Sequence, residues 1–367
     1  MKFSVILLCY RCADTVQAAV ESVLNQTWQD VELLCVDDCS DDNTVSLLSV
    51  YESDSRFRLL RHEENRGSSV SRRTGMREVT GDYVLFLDGD DTLVPHACET
   101  MAKVLSRKPC DILQFGTELV ARNEFSALAR EGLEEYLSVL TEPLSGREIA
   151  VTAFQEEKIP FTVWNKCYAA SLIRTVAPLI RDDYINMCDD FYFSFLALYR
   201  AGSYAGISDR LIRYSVGSGM STRHRLTESQ FRRFIGSQTA LLACEAFARD
   251  NKLPESLREA IGKRREACVF AAFEKLRIMA PGDRAACAKA LLEQYGTDYV
   301  LDIAAAGNNK GSGVERLASF LDVPKEKLIC IGDSWNDLPM LRIAGRACAP
   351  ANAEEDVKNE PGVTVVS

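Results

Sequence analysis

The sequence predicts an α/β fold built around a mostly parallel sheet. Three features carry that expectation: short runs that are almost wholly apolar, helical stretches alternating with them, and carboxylates collected at the ends of two runs. Phe3–Cys9 (FSVILLC) is the first run, and its near-unbroken apolar character marks a strand covered on both faces. Thr15–Asn25 then spaces Val16, Ala19, Val20, Val23 and Leu24 along one helical face. Val31–Val36 (VELLCV) is a second strand. A helix around Asn43–Tyr51, a strand at Phe57–Arg61, a helix over Ser68–Val79 and a strand at Tyr83–Leu87 follow in turn. Such alternation builds βαβ units.

The strand at Tyr83–Leu87 runs straight into Asp88, Asp90 and Asp91, and Val31–Val36 ends at Asp37 and Asp38. In an open α/β sheet the carboxyl ends of strands are where ligands bind. Clustered carboxylates repel one another and stay ionised together only beside a cation or hydrogen-bond donors. A divalent metal carrying a diphosphate meets that need, because Mg²⁺ takes one or two carboxylates plus phosphate oxygens. For Asp88–Asp91 alone, a solvated acidic turn is an equal competitor. Acids at two strand ends favour a crevice for a nucleotide diphosphate.

Composition narrows the class. The 367 residues suffice for two or three domains, and 47% hydrophobic content supplies buried cores. A net charge of −10 without a long basic run argues against nucleic-acid partners. Thirteen cysteines lie scattered without zinc spacing, which suits buried thiols in a reducing compartment. No secretory leader or bilayer-length apolar run is evident, so the expected location is cytoplasmic. His62, His96 and His224 fit no ligand or catalytic pattern and read as loop, surface or helix-start residues.

The run SVILLCY…SVLNQTWQDVELLCVDDCSDDNT…RHEENRGSSVSRRTGMREVTGDYVLFLDGDDTL resembles the nucleotide-sugar domain of family 2 glycosyltransferases. The resemblance implies the Rossmann-like A-type glycosyltransferase fold. It also implies a hexosyltransferase-type activity using a nucleotide-diphosphate sugar, a uridine-linked one, with Mn²⁺ or Mg²⁺. By that resemblance Tyr10 and Asp38 contact the base, while Asn65, Gly67 and Arg72 lie in the loop and helix start beneath the nucleotide. Asp88 reaches the ribose or metal, and Asp90 with Asp91 holds the metal. The chain departs from the family at three points. It reads Leu8-Cys9-Tyr10-Arg11 where Pro-x-Tyr-Asn is common, Cys39 where Gly often follows the Asp pair, and Arg73 where Asn is common.

Phe161–Ile173 (FTVWNKCYAASLI) resembles the family's acceptor-side segment, and Met187–Leu196 (MCDDFYFSFL) its Glu-Asp-x-x-Phe motif. Asp189 then stands in the Glu place, and Asp190 falls where inverting members keep their general base, which deprotonates the acceptor hydroxyl. Read without the family, the pair is a favourable acidic first turn of a helix. Leu211–Arg223 resembles the strand and lid that close the site. Gly217 and Gly219 suit a mobile loop, and Arg213, Arg223 and Arg225 are candidate diphosphate cations. The implied acceptor is a saccharide or a lipid-linked saccharide, as in polysaccharide or cell-surface glycan synthesis.

The catalytic domain is expected over residues 1–225 and a helical connector over 226–300. The connector holds helices at Gln230–Arg249 and Pro254–Met279. Lys263, Arg264 and Arg265 beside Ala267–Phe273 could make a helix for peripheral contact with an inner membrane face, though a helix packed on the catalytic domain is the favoured reading. Residues 301–367 resemble the carboxyl-terminal part of Cof-type haloacid-dehalogenase-like phosphatases. Lys310 matches that family's lysine, and Asp333 with Asp337 matches its metal acids. That family's Asp-x-Asp-Gly-Thr nucleophile motif is missing between Arg225 and Lys310, so the tail reads as truncated and non-hydrolytic. Two other readings stand beside it: a phosphatase using Asp88 as nucleophile, and a tail serving as a binding or homo-oligomerisation module through an unpaired strand edge.

Overall fold

A computed structural model describes residues 1–121, 125–185, 187–217, 226–279, 281–295 and 310–366. The chain divides into two compact units, Met1–Lys275 and Leu276–Ser367. The connector expected over 226–300 is thus shared between them.

The first unit opens with β1 (Phe3–Cys9), α1 (Val16–Leu24), β2 (Val31–Asp37), α2 (Thr44–Ser49), β3 (Phe57–Arg61), α3 (Ser68–Glu78) and β4 (Tyr83–Asp88). Then come β5 (Thr92–Leu93), α4 (Ala97–Arg107), β6 (Ile112–Ala121), α5 (Ala127–Tyr136), β7 (Leu144–Ser145), α6 (Arg147–Phe154), β8 (Lys166–Ala169), α7 (Ala170–Val176), α8 (Asp189–Arg200) and β9 (Ser203–Val216). Among the described residues these strands form a nine-stranded sheet in the order β3-β2-β1-β4-β8-β6-β9-β5, with β7 on β9. β1, β2, β3 and β4 are mutually parallel, and β8 inserts antiparallel between β4 and β6. The apolar runs behave as their composition requires: β1, β2 and β4 are buried almost throughout.

The strand order places the site. From β1 the chain crosses to β2 and β3 on one side, then to β4 on the other, and a crevice opens where the order reverses. Register brings Leu8 beside Asp88 and Cys9 beside Asp37, so the acidic ends of β2 and β4 flank the end of β1. Helix α3 sits close over β1, because a Cβ on Gly75 would lie 2.5 Å from the Ile6 side chain.

Helix α8 is apolar nearly all round, and Phe191 through Leu198 are buried. Phe193 meets Phe86 at 5.0 Å and Tyr168 at 5.3 Å, which fixes the helix against β4 and β8. Its polar first turn, Asp189 and Asp190, is thereby held near the end of β4, where the helix dipole favours acids.

Past residue 225 the chain forms α9 (Glu228–Phe234), α10 (Ser237–Asp250) and α11 (Glu255–Arg277). The single helix expected over Gln230–Arg249 is therefore two. The break falls at Ile235-Gly236, where glycine costs a helix interior about 1 kcal/mol relative to alanine. The basic cluster of α11 does not make one solvated edge. Lys263 is exposed, but Arg264 lies over the Phe191 ring at 5.6 Å and Arg265 donates to Glu245 at 2.5 Å. No helix among the described residues is long and apolar enough to cross a membrane.

The second unit holds α12 (Pro281–Tyr295), α13 (Lys310–Phe320), α14 (Leu338–Leu341) and α15 (Glu355–Lys358). Strands β10 (Ile329–Ile331), β11 (Arg346–Pro350) and β12 (Val363–Val366) form a parallel sheet in that order. Cys330, Leu341, Ala347, Ala349, Ala353 and Val357 make its core. Among the described residues β10 is an edge of this sheet, and its Ile329 and Ile331 are exposed.

Candidate active site at the sheet switch point

A cavity of about 260 Å³ opens at the ends of β1, β2 and β4. Its walls include Tyr10, Asp38, Asn65, Gly67 and Asp88, together with Tyr184 and Arg233. Five residues singled out from the sequence thus face one space. Tyr184 and Arg233 had no sequence signal, because each reaches the cavity from a segment distant in the chain.

Asp38 organises the wall. Its Oδ1 accepts from the Arg66 amide at 2.8 Å and faces His62 Nδ1 at 2.7 Å, and its Oδ2 accepts from the Gly67 amide at 2.8 Å. The Asn65 side chain donates to the Asp38 carbonyl at 3.1 Å. His62 does lie in the loop after β3 but is not a surface residue: its Nε2 meets Thr74 Oγ1 at 2.9 Å, and its side chain is largely buried. Register held the missed clue. Asp37 pairs with Arg61, so the next residue of each strand meets across the sheet end.

Gly67 caps the start of α3 at φ +83, and a Cβ there would lie 2.9 Å from the Ile185 carbonyl oxygen. That backbone conformation and closeness favour glycine. Two family departures take the same left-handed region without being glycine: Arg11 at φ 50 and Cys39 at φ 62. Asp41 holds Arg11 with two hydrogen bonds of 2.6 Å, and Ser40 Oγ accepts from the Arg11 amide. Arg73, the third departure, donates to the Ile180 carbonyl and to Asp182.

Arg72 is not on the cavity wall. It is buried in α3, and its guanidinium donates to Asp189 and, at 2.6 Å, to Asp190. One cation therefore joins both acids of the α8 turn. Burial pushes Asp190 up to about 6, Arg72 pulls it down, and Asp189 adds repulsion. Burial likewise pushes Asp88 up to about 7, with Arg72 opposing and Asp190, Asp90 and Asp189 reinforcing. Lys166 is buried too, and its ammonium donates to the carbonyls of Pro160 and Thr162 and to Asn165 Oδ1. Burial lowers it to about 7, while Asp190 pulls it back up. Three oxygen acceptors match the three N–H bonds of an ammonium, which favours the charged form. Beside these groups Trp164 stacks on Tyr214 at 4.2 Å.

The three aspartates at the end of β4 and just beyond it make different contacts. Asp91 is buried, and its Oδ1 accepts from the Ser215 amide at 2.7 Å, while the Ser215 hydroxyl donates to the Asp90 carbonyl at 2.6 Å. These bonds tie the acidic turn to β9. Among the described residues no three His, Cys, Asp or Glu side chains gather as a metal-ligand set. Asp88 and Asp90 form a hard-oxygen pair in a surplus of negative charge, which suits a divalent cation that takes its other ligands from phosphate and water. Of the segment expected to form a lid, the part through Val216 lies in β9, where Arg213 pairs with Glu118 at 3.1 Å. Gly219, Arg223, His224 and Arg225 lie outside the described residues.

Residues 4–151 match the family model described as glycosyl transferase family 2. This region is a family 2 glycosyltransferase domain. Residues 284–364 match haloacid dehalogenase-like hydrolase, covering most of the second unit. Among curated relatives of the glycosyltransferase domain, the β-1,3-glucosyltransferase WfgD of Escherichia coli is 32% identical over 120 residues, 33% of this chain and 47% of WfgD. Its full description is UDP-Glc:alpha-D-GlcNAc-diphosphoundecaprenol beta-1,3-glucosyltransferase. The cholesterol galactosyltransferase of Borreliella burgdorferi is 29% identical over 182 residues, 47% of this chain and 49% of that protein. The glycosyltransferase YibD of Escherichia coli K12 is 34% identical over 113 residues, 31% of this chain and 33% of YibD. The chain spans half or less of the length of these three relatives. The crystal structure of S. aureus TarS 1-349 in complex with UDP-GlcNAc aligns with a TM-score of 0.50 at 18% identity, covering 80% of this chain and 89% of that one. The two share the A-type glycosyltransferase fold.

In the second unit Lys310 donates to Asp337 Oδ1 at 2.5 Å. Asp337 Oδ2 accepts from the amides of Asp333 and Ser334 at 3.0 and 3.1 Å. Lys310, Asp333 and Asp337 are thus together, as their sequence positions suggested.

Proposed function

We propose that the chain transfers a sugar from a nucleotide-diphosphate sugar, with uridine as the base, to a saccharide or lipid-linked acceptor. One observation carries the reading: Tyr10, Asp38, Asn65, Gly67 and Asp88 line a single cavity at the sheet's switch point, and the Asp189-Asp190 turn lies within electrostatic reach of Asp88. The description of WfgD, with its UDP-linked donor and diphosphoundecaprenol-linked acceptor, supports those substrate classes. A lipid-linked acceptor would bring the chain to the cytoplasmic face of a membrane.

In the proposed mechanism the base and ribose lie along Tyr10, Asp38, Asn65 and Gly67, and the diphosphate faces Asp88 and Asp90. Those two carboxylates would hold Mg²⁺ or Mn²⁺, whose contribution is to neutralise the diphosphate leaving group. Asp190 takes the proton of the acceptor hydroxyl, and that oxygen attacks the anomeric carbon from the side opposite the diphosphate, inverting the configuration. Arg72 fixes the carboxylate through its 2.6 Å bond and keeps more of it ionised than burial alone would allow.

Calorimetric titration with uridine diphosphate, with and without Mn²⁺, tests the donor site. Wild type is expected to bind in a manganese-dependent manner, and Asp90→Asn to lose that dependence. An absence of binding, repeated with guanosine and other diphosphates, would remove the basis of the reading.

A further inference from the structure

A second cavity, of about 280 Å³, lies in the first unit between the start of α8 and the helices α9, α10 and α11. Its lining includes Cys188, Phe234, Ser237, Arg264 and Cys268. The two cysteines are 80 residues apart in sequence, yet their Sγ atoms stand 3.9 Å apart. Both are partly exposed. Arg264 lies over the Phe191 ring, and its Nε has no hydrogen-bond partner among the described residues. Cys188 is the residue immediately before Asp189 and sits at φ 62, in the left-handed region that a non-glycine residue occupies at a cost.

We propose that Cys188 and Cys268 form a site of reversible oxidative modification, in which a hydroperoxide entering this cavity converts the two thiols to a disulfide joining the start of α8 to α11. The roles of the two sulfurs differ. The hydrogen bond with Cys188, with the Arg264 charge and the Ser237 hydroxyl, holds the Cys268 thiol down at about 6 against the effect of burial. Cys188 is displaced upward, by its hydrogen bond to Cys268 and then by burial. Cys268 is the sulfur that these groups favour as thiolate, and thiolates are the species that hydroperoxides oxidise.

The chemistry balances. The Cys268 thiolate attacks the peroxide oxygen, the O–O bond breaks, an S–O bond forms, and the departing alkoxide or hydroxide takes a proton. Cys188 then attacks the sulfenic sulfur, the S–S bond forms and water leaves with the Cys188 proton. Two thiols lose two electrons, which reduce the peroxide to one alcohol and one water, or to two waters for hydrogen peroxide. The sulfurs must approach by roughly 2 Å to reach an S–S length of about 2.05 Å. Because Cys188 adjoins Asp189 and Asp190, the new bond would act directly on the turn that carries the proposed base.

The test uses the full chain treated with hydrogen peroxide, followed by alkylation of remaining thiols, digestion and peptide mass mapping. The expected product is a peptide pair joining Cys188 to Cys268, cleaved by dithiothreitol and missing from Cys188→Ser and Cys268→Ser. Mapping the unmutated chain gives the answer even if a variant folds poorly, and it is independent of sugar transfer. The proposal is overturned if both cysteines stay alkylated at peroxide levels that oxidise the partly exposed Cys12 and Cys39. It is equally overturned if either sulfur pairs with another cysteine instead.

Discussion

Replacing Arg72 with Gln separates a positioning role from a merely structural one. The guanidinium bonds Asp190 at 2.6 Å and also holds Asp189, so its removal leaves two adjacent carboxylates without their shared cation. An opposite charge at such range lowers a carboxylate by about 1–3 units, and with the Asp190 side chain 34% exposed the lower half of that range applies. Asp190, already pushed up by burial to about 6, should then titrate near pH ~7.5. A base works ionised, so activity is lost as pH falls through its pKa, and raising that pKa moves the acid limb upward. For that shift, Arg72→Gln should lose about 15-fold in kcat/KM near pH ~6, about 4-fold near pH ~7, and little near pH ~9. The assay is the pH profile of nucleoside diphosphate release at saturating metal, where the cation already keeps Asp88 ionised. Arg72→Lys keeps the charge, and its limb should stay near the wild-type position, although an ammonium cannot hold both acids as a planar fork does. Thermal melting of each variant checks folding, because breaking a buried ion pair can cost about 3–5 kcal/mol. An unmoved limb, or an equal loss at every pH, would refute the argument.

Asp190→Asn should bind uridine diphosphate like wild type yet lose transfer by at least about 100-fold, the lower end of what a general base contributes; loss of both, measured by calorimetry beside the turnover assay, would move the residue to the donor site. Glu32 accepts from Ser4, from the amide and hydroxyl of Thr80, and from Lys2 at 2.5 to 3.1 Å; despite burial, these bonds lower it to about 2. A depressed carboxylate contributes stability above its unfolded pKa, here about 3 kcal/mol, and loses it as pH falls through about 2. Urea titrations at neutral and acid pH should show that loss in wild type and little pH dependence from this site in Glu32→Gln. Cys39→Gly should raise stability by about 1 kcal/mol by relieving a left-handed residue at φ 62, read as a higher urea midpoint; a lower one would mean the Cys39 contact with the Glu63 carbonyl matters more.

Periodicity and apolar runs located the first seven elements because those residues are buried on two faces, and burial of that kind leaves little choice of residue. Phe3–Cys9 and Phe57–Arg61 coincide with β1 and β3 to the residue. Acids at strand ends were legible for the same reason: Asp88 ends an otherwise apolar strand. What stayed hidden depends on contacts between distant segments. Nothing near Arg72 in sequence announces Asp189 or Asp190, 117 and 118 residues away. Nor does DGDD reveal that Asp91 Oδ1 accepts from the Ser215 amide, since that partner lies 124 residues on. The break at Gly236 was missed because the apolar face continues across it while the backbone does not.

Arg72 also explains why donor and base sites would respond to one another. Gly67 caps the start of α3 and its amide holds Asp38 on the cavity wall, and Ser68 and Ser71 line the same cavity. One residue further along, Arg72 grips the α8 acids, and the Ser69 amide donates to the Ile185 carbonyl at 3.2 Å. The stretch Gly67–Arg72 therefore carries cavity-wall residues on one side and the anchor of the proposed base on the other. A diphosphate and its cation arriving at Asp88 would add positive charge beside a carboxyl that burial and its acidic neighbours push up to about 7. The same charge would draw Asp190 toward its ionised form. Donor binding would in this way prepare the base electrostatically, with no movement of the sheet, and Arg72 is the residue through which that preparation keeps its geometry.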